Sequence, residues 1–377
     1  MDEQRTSEIV NNMHRWFIER DYRGTDPYQL DEKAFTFIKK VPCLGYVRRI
    51  LKPFHSQVPD SLFSKLPPIY HPKAIALIIS ANSYLYEKSG DTAFIDENMR
   101  LVELLNNLRN CDYGYTCWGH PFEWGQSPRY PYNTPLVCVQ APILNCLIDF
   151  YNIYPNEDLF NIINSAVNYL LYEAEYDTLG VGSASFRNSP LNNMYVHNSN
   201  IMAACLFYRL ENLIPNDTMI NLADKLIVFT INSQNSDGSW FYSPDVVSID
   251  NRHTGFILYS LHQLYKLTNR EDIFRSMDLG LNYYKTNLFE NSLPKWSPNE
   301  TYPIDIHDVA QAIITFSEIG EMKYAGNLID FAINKMSNGK DEFYYKYFKD
   351  GRVNRAVFIR WGQAWMNKAL TTFFLKN

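Results

Sequence analysis

Along much of the chain, apolar residues recur at three- and four-residue spacing, the pattern of helices that bury one face. Over residues 224–230, for instance, Leu226, Ile227 and Phe229 stand among polar neighbours. Helices of this kind are predicted over residues 91–109, 157–172, 215–232, 271–284 and 321–336. Six more begin directly after loops rich in Gly, Pro, Asn and aromatic residues, near His71, Pro135, Tyr195, Arg252, Asp305 and Val357. Pro135 behind Thr134, and Asp305 behind Pro303, are helix-start signals. The starts recur every ~50–65 residues, room for a helical hairpin and a loop. An amphipathic stretch over residues 3–19 supplies a twelfth helix. Runs of Val, Ile and Thr are short and rarely alternate, so no set of strands competes.

Twelve helices in six hairpins predict an all-α (α/α)6 toroid, a six-hairpin barrel. It is expected as a single domain over residues 1–377, with residues 1–20 as the helix that closes the ring. An open solenoid is the alternative. Repeats that drift in length and share no consensus favour closure. In a closed ring the six helices that follow the loops run parallel as an inner wall. Their N-termini then share one mouth, where six helix dipoles add up to a positive potential.

Composition supports such a core. Of 377 residues, 46% are hydrophobic and 20% charged, which excludes a disordered chain. The net charge of −6 argues against a general binder of nucleic acid or anionic membrane. No apolar run is long enough to span a bilayer, so membrane insertion is not expected. The first twenty residues are charged and lack the apolar segment of a signal peptide, so a cytoplasmic location is expected. The six cysteines, Cys43, Cys111, Cys117, Cys138, Cys146 and Cys205, form no C-x-x-C pair and read as reduced thiols.

The loops carry the candidate chemistry. The second holds Trp118, His120, Glu123 and Trp124, then Arg129. The third holds Arg187, then His197 and Asn198. The fourth holds Asp250, Arg252 and His253. The fifth holds Trp296, Tyr302, Asp305, His307 and Asp308, with Gln311 one turn on. The sixth leads to Arg360 and Trp361. His120, His197, His253 and His307 fall at the same phase of the repeat, as do Glu123, Asp250, Asp305 and Asp308. Trp faces stack on sugar rings while carboxylates and Arg take hydroxyls, so the mixture suits a carbohydrate site. Plainer roles stand beside this one. Asp250 and Asp305 are also good N-caps, and each Arg has an acid nearby to pair with. Asp305-x-His307 offers two metal ligands but no third, and no H-E-x-x-H, G-x-G-x-x-G, P-loop or G-x-S-x-G motif occurs; neither metal nor cofactor is expected.

At these motifs the chain resembles helical-toroid proteins of bacterial and archaeal polysaccharide-biosynthesis gene clusters, related to the six-hairpin glycosidases. The residues that carry the likeness are the run Trp118–Trp124, His197-Asn198, Asp237-Gly238-Ser239-Trp240, the run Asp250–Phe256, Pro303–Asp308 with Gln311, and Arg360–Trp365, with Asp26-Pro27-Tyr28 fitting as well. The resemblance implies the toroid fold and a role in making or tailoring a glycan, with polysaccharide-synthesis partners. His120 departs from the aromatic residue expected there. Sugar 2-epimerases of similar fold use paired histidines, and toroid glycosidases use paired carboxylates. Gln234, Gly238 and Trp240 match a triterpene-cyclase repeat, but in one copy only and without the D-x-D-D motif.

Three functions follow. In a sugar epimerase or isomerase, of uronate type, His253 and His307 carry protons while Arg252 or Arg360 holds an anionic group. In a glycoside hydrolase or lyase, Asp250, Asp305, Asp308 or Glu123 supplies acid and base. A non-catalytic glycan-binding protein is the third. The expected ligand is a mono- or oligosaccharide, with an anionic group if the arginines face it. His120, Trp118, Trp124, Arg129, Arg187, His197, Asn198, Trp296, Tyr302, Gln311 and Trp361 are the expected sugar contacts.

Overall fold

A computed structural model describes residues 3–30, 63, 65–125 and 129–377. Cys43 lies outside them. The described helices are α1 (Glu3–Glu19), α2 (Pro72–Ser89), α3 (Ala93–Asn107), α4 (Val137–Ile153), α5 (Glu157–Asn168), α6 (His197–Leu210), α7 (Asp217–Asn232), α8 (Asn251–Thr268), α9 (Glu271–Asn287), α10 (Ile306–Glu318), α11 (Met322–Lys335) and α12 (Trp365–Lys376).

Helices α2, α4, α6, α8, α10 and α12 each pack on the next, and α12 packs back on α2, so the inner ring closes. Sequence explains which helices went inside. On α10 every residue from Ile306 to Ser317 is buried, and on α2 every residue from Pro72 to Ser83. A helix that is apolar or small all round must be enclosed on all sides. On α5 only Leu159, Ile163, Ala166 and Val167 are buried, the single stripe of an outer helix. Helix α1 completes the outer layer. His14 reaches Glu97 of α3 at 2.5 Å, and Arg5 donates to Asn334 of α11. The chain is thus an (α/α)6 toroid, mostly helical.

Close approach of α8 and α10 depends on Gly255. A Cβ there would lie 2.9 Å from Gln311 and 3.0 Å from the Tyr284 hydroxyl. Among the described residues, seven strands of two or three residues pair within or between the loops, too short for alternation to reveal them in sequence. One pairing shapes the mouth. Ile304–Asp305 pairs with Lys346–Tyr347 in a register that sets Lys346 opposite Asp305. The last inner helix departs from expectation as well. A π-helical turn, Ile359–Ala364, precedes α12, with the Phe358 carbonyl accepting from both the Gly362 and Gln363 N–H groups. No described helix is long and apolar enough to cross a membrane.

Candidate functional site

Helix N-termini build the mouth, and their caps are among the candidate residues. Asp250 caps α8, its Oδ1 accepting from the His253 N–H at 2.9 Å, and Asp305 caps α10 by accepting from the His307 N–H at 2.9 Å. His71 caps α2, its Nδ1 accepting from the Lys73 N–H at 3.2 Å. A histidine stands at or before five of the six inner helices: His71, His120, His197, His253 and His307. Arg360 and Trp361 occupy the sixth position through the π-helical turn.

On one side, Asp26 receives a bidentate pair from Arg360 at 2.7 and 2.9 Å, with all partners buried. His71 lies 4.0 Å from the same carboxylate and 3.1 Å from His120. Burial, then the nearby Arg360, pushes both imidazoles well below the usual histidine range, so both are neutral. The tautomers then follow. His71 accepts at Nδ1, so its Nε2–H donates to His120 Nδ1, and His120 carries its own proton on Nε2. Tyr28 stacks on Trp124 and sets its edge toward His120 and Trp361.

On the other side, Arg252 pairs with Asp308 at 3.2 Å and lies 3.9 Å from Asp305, while covering the Trp361 ring. Trp361 Nε1 donates to Asp305 Oδ1 at 2.8 Å. Lys346 sits over Trp296 and 3.9 Å from Asp305. Burial raises the Asp308 carboxyl well above its usual range, against the pull of Arg252. His307 is wedged between Trp361, Trp365 and Phe256, and neither of its ring nitrogens has a hydrogen-bond partner. Burial, then Arg252, keeps it neutral. His253 on the adjacent inner helix binds Asp250 through Nδ1 at 2.6 Å and touches the same Phe256 ring. Burial works against the Asp250 charge, yet His253 beside it holds that carboxylate below its normal range. Asn198, Tyr242, Asp250 and His253 line a small pocket there.

Other expected contacts lie elsewhere. Trp118 is fully buried and donates Nε1 to the Leu105 carbonyl at 2.9 Å, which leaves no face for a sugar. Gln311 is packed against Gly255 and donates to Thr315 at 3.1 Å. Arg187 is tied to Asp177 and Glu175 beside the β-hairpin of residues 176–186. Arg129 pairs with Glu123. His197 donates Nδ1–H to the Phe241 carbonyl at 2.7 Å and packs on Phe229, with Nε2 unpartnered. Tyr302 is half-buried near Tyr347. His71 and Lys73 also stand at this mouth, although no sequence motif singles them out. Their position just ahead of and inside the first turn of an inner helix was the available signal. Among the described residues, no three His, Cys, Asp or Glu converge as a metal-ligand set.

Below the mouth, the ring axis is filled. Asp149 of α4 accepts from Arg209 of α6 at 2.6 Å and from Lys368 of α12 at 3.0 Å, with Ser80 and Tyr84 of α2 alongside. A largely apolar cavity remains beside them, under Phe256 and Trp365.

No family model matches this chain, and no curated protein matches its sequence. Solved structures do. The cellobiose 2-epimerase of Bacillus thermoamylovorans B4167 superposes with a TM-score of 0.64 at 12% identity, over 81% of this chain and 87% of that one. A GH76 alpha-mannanase from Bacteroides thetaiotaomicron gives 0.61 at 11%, over 80% and 85%. An unsaturated glucuronyl hydrolase specific for heparin gives 0.60 at 13%, also over 80% and 85%. With its closed inner ring and these likenesses, the chain has the (α/α)6 toroid fold of the six-hairpin glycosidase-like enzymes.

Proposed function

We propose that this chain is a carbohydrate-active enzyme, and that it is a sugar epimerase or isomerase using His253 and His307. Enzymes of the same fold are named for sugar substrates, which supports the broader class. The observation that carries the narrower reading is the environment of the two imidazoles. His253 is oriented by Asp250, His307 is neutral with both nitrogens unpartnered, and the Phe256 ring touches both. A sugar placed against Phe256 would have both imidazoles within reach. One imidazole takes the proton from the carbon beside the carbonyl of the open-chain sugar, giving an enediolate. The other returns a proton to the opposite face. The acids suit this role less. Asp250 serves His253, Asp305 serves the helix cap and Trp361, Glu123 serves Arg129, and Asp308 serves Arg252.

Incubation with a panel of sugars in D2O, read by NMR, tests the proposal. Deuterium should enter the carbon beside the carbonyl. His307→Ala should lower that exchange by about 10²–10⁴-fold while the helical spectrum is kept. Unchanged exchange in the variant would remove His307 from the mechanism. One observation favours a second reading, hydrolysis. Burial shifts the Asp308 carboxyl upward, the direction a general acid needs. New reducing ends without deuterium would select it, and binding without turnover would select a glycan-binding protein.

A further inference from the structure

The charges at the mouth are mostly spent on one another. Arg252 and Arg360 each pair with a carboxylate, as do Arg129 and Arg187 away from it, and Lys346 lies 3.9 Å from Asp305. These pairs match the alternative in which each Arg holds a nearby acid. Lys73 differs. It sits in the first turn of α2, only 9% exposed. Its ammonium donates to the Cys138 carbonyl at 3.0 Å, and no described carboxylate oxygen lies within 4.0 Å of it. Two of its three N–H donors are therefore unassigned. Nζ faces the rings of Phe256 and Trp365, at 5.8 and 5.6 Å from their centroids.

His307 packs against the same two rings, 3% exposed, with both nitrogens unpartnered. A buried ammonium with one hydrogen bond and a buried imidazole with none, set around one pair of aromatic rings, are costly unless something arrives to satisfy them. What satisfies them must lie against the Phe256 and Trp365 rings. It must also offer acceptor oxygens to Lys73, at least one of them charged. A neutral sugar meets the first demand. A sugar acid meets both.

We propose that Lys73 is the anion receptor of this site, and that the ligand is a uronic acid, free or at the end of an oligosaccharide, whose carboxylate binds the Lys73 ammonium. This rests on the carbohydrate reading above but not on proton transfer by histidine. The test is titration calorimetry of the full chain with glucuronate, galacturonate and mannuronate, each against its neutral hexose, and with oligosaccharides ending in the preferred uronate. At least one uronate should bind about tenfold or more tightly than its neutral partner. Lys73→Met should erase that preference, the uronate losing about tenfold more affinity than the hexose. Lys73→Gln, which retains a donor for the Cys138 carbonyl, serves if the first variant does not fold. Tighter binding of the oligosaccharides would assign the terminal source, and tighter binding of monosaccharides the free one. Absence of preference in all three pairs, a preference that survives the substitutions, or loss of fold in both variants would overturn the proposal. Deuterium exchange is measured separately. Uronate binding through Lys73 without exchange would keep this inference and remove the epimerase.

Discussion

Lys73 shows how one side chain turns surroundings into a measurable property. Burial lowers its ammonium to about 8, well under the usual lysine value. The groups that act on it stay constant in that range. His71, His120 and His307 are neutral from well below 6.5. The Cys138 thiol is raised by burial, the Cys146 thiol is pushed up to about 12, and Asp26 is paired with Arg360. Uronate affinity should therefore hold below the lysine value and decline as pH rises through about 8 and beyond, because the ammonium loses its proton. Calorimetry at a series of pH values reads this directly, and affinity that stays flat through that range would mean that another group holds the carboxylate. At the same scale, Trp118 warns against reading a Trp beside Gly and His as a ligand. Its indole fills the core, so Trp118→Ala should cost about 3–5 kcal/mol of stability in denaturant melts. A ligand role would instead predict lost binding in a stable protein.

Among elements, the inner helices are joined by a charge cluster as well as by packing. Asp149 on α4 holds Arg209 on α6 and Lys368 on α12, with Ser80 on α2 bound to both Asp149 and Lys368. Burial disfavours its charge, yet Lys368 and Arg209 bring the carboxyl down to about 2. A carboxyl lowered on folding adds stability above its unfolded value near 3.8, and that stability is lost as pH falls from there through about 2. The contribution is about 2–3 kcal/mol. Asp149→Asn should destabilise by about 3 kcal/mol or more at neutral pH, since two buried cations lose their anion, and should flatten the acid limb of the stability curve. Chemical denaturation at pH 7 and pH 3 compares the two. This cluster was not legible in sequence, because Ser80, Asp149, Arg209 and Lys368 lie far apart along the chain and share no motif. Helix limits were legible. The starts expected near His71, Arg252 and Asp305 are found at Pro72, Asn251 and Ile306, because caps and prolines act locally. The start expected near Val357 is found at Ile359, but its first turn is π-helical. That turn depends on how one carbonyl is shared, which side-chain pattern does not encode.

At the scale of the whole molecule, the sixfold phase of the loops predicted that distant residues share a mouth. The ring gathers Asp26, His71, His120, Arg252, His307 and Arg360 into linked contacts. Which acid met which Arg was beyond sequence, since pairing depends on which loops lean together. The Asp26–Arg360 pair joins residues 334 apart in sequence, and it is bidentate and buried. Arg360→Lys should lower the melting temperature although the charge is kept, because an ammonium cannot fork to both oxygens. A melting curve unchanged by that substitution would show that the fork adds little.

Closure of the inner ring through α12 and α2 also sets a schedule for synthesis. Helix α2 needs α12 as a wall, and Asp26 waits for Arg360. A nascent chain releases α2 and α4 from the ribosome long before their last neighbour exists, and at ordinary elongation rates the interval is roughly 15–60 s. Through that time the buried faces of α2, among them Ile75, Ile78 and Ile79, have no lid on one side. Ribosome-bound chains arrested before Trp365 should be cut rapidly by protease and captured by holdase chaperones, and protection should arrive in one step once α12 is free of the exit tunnel.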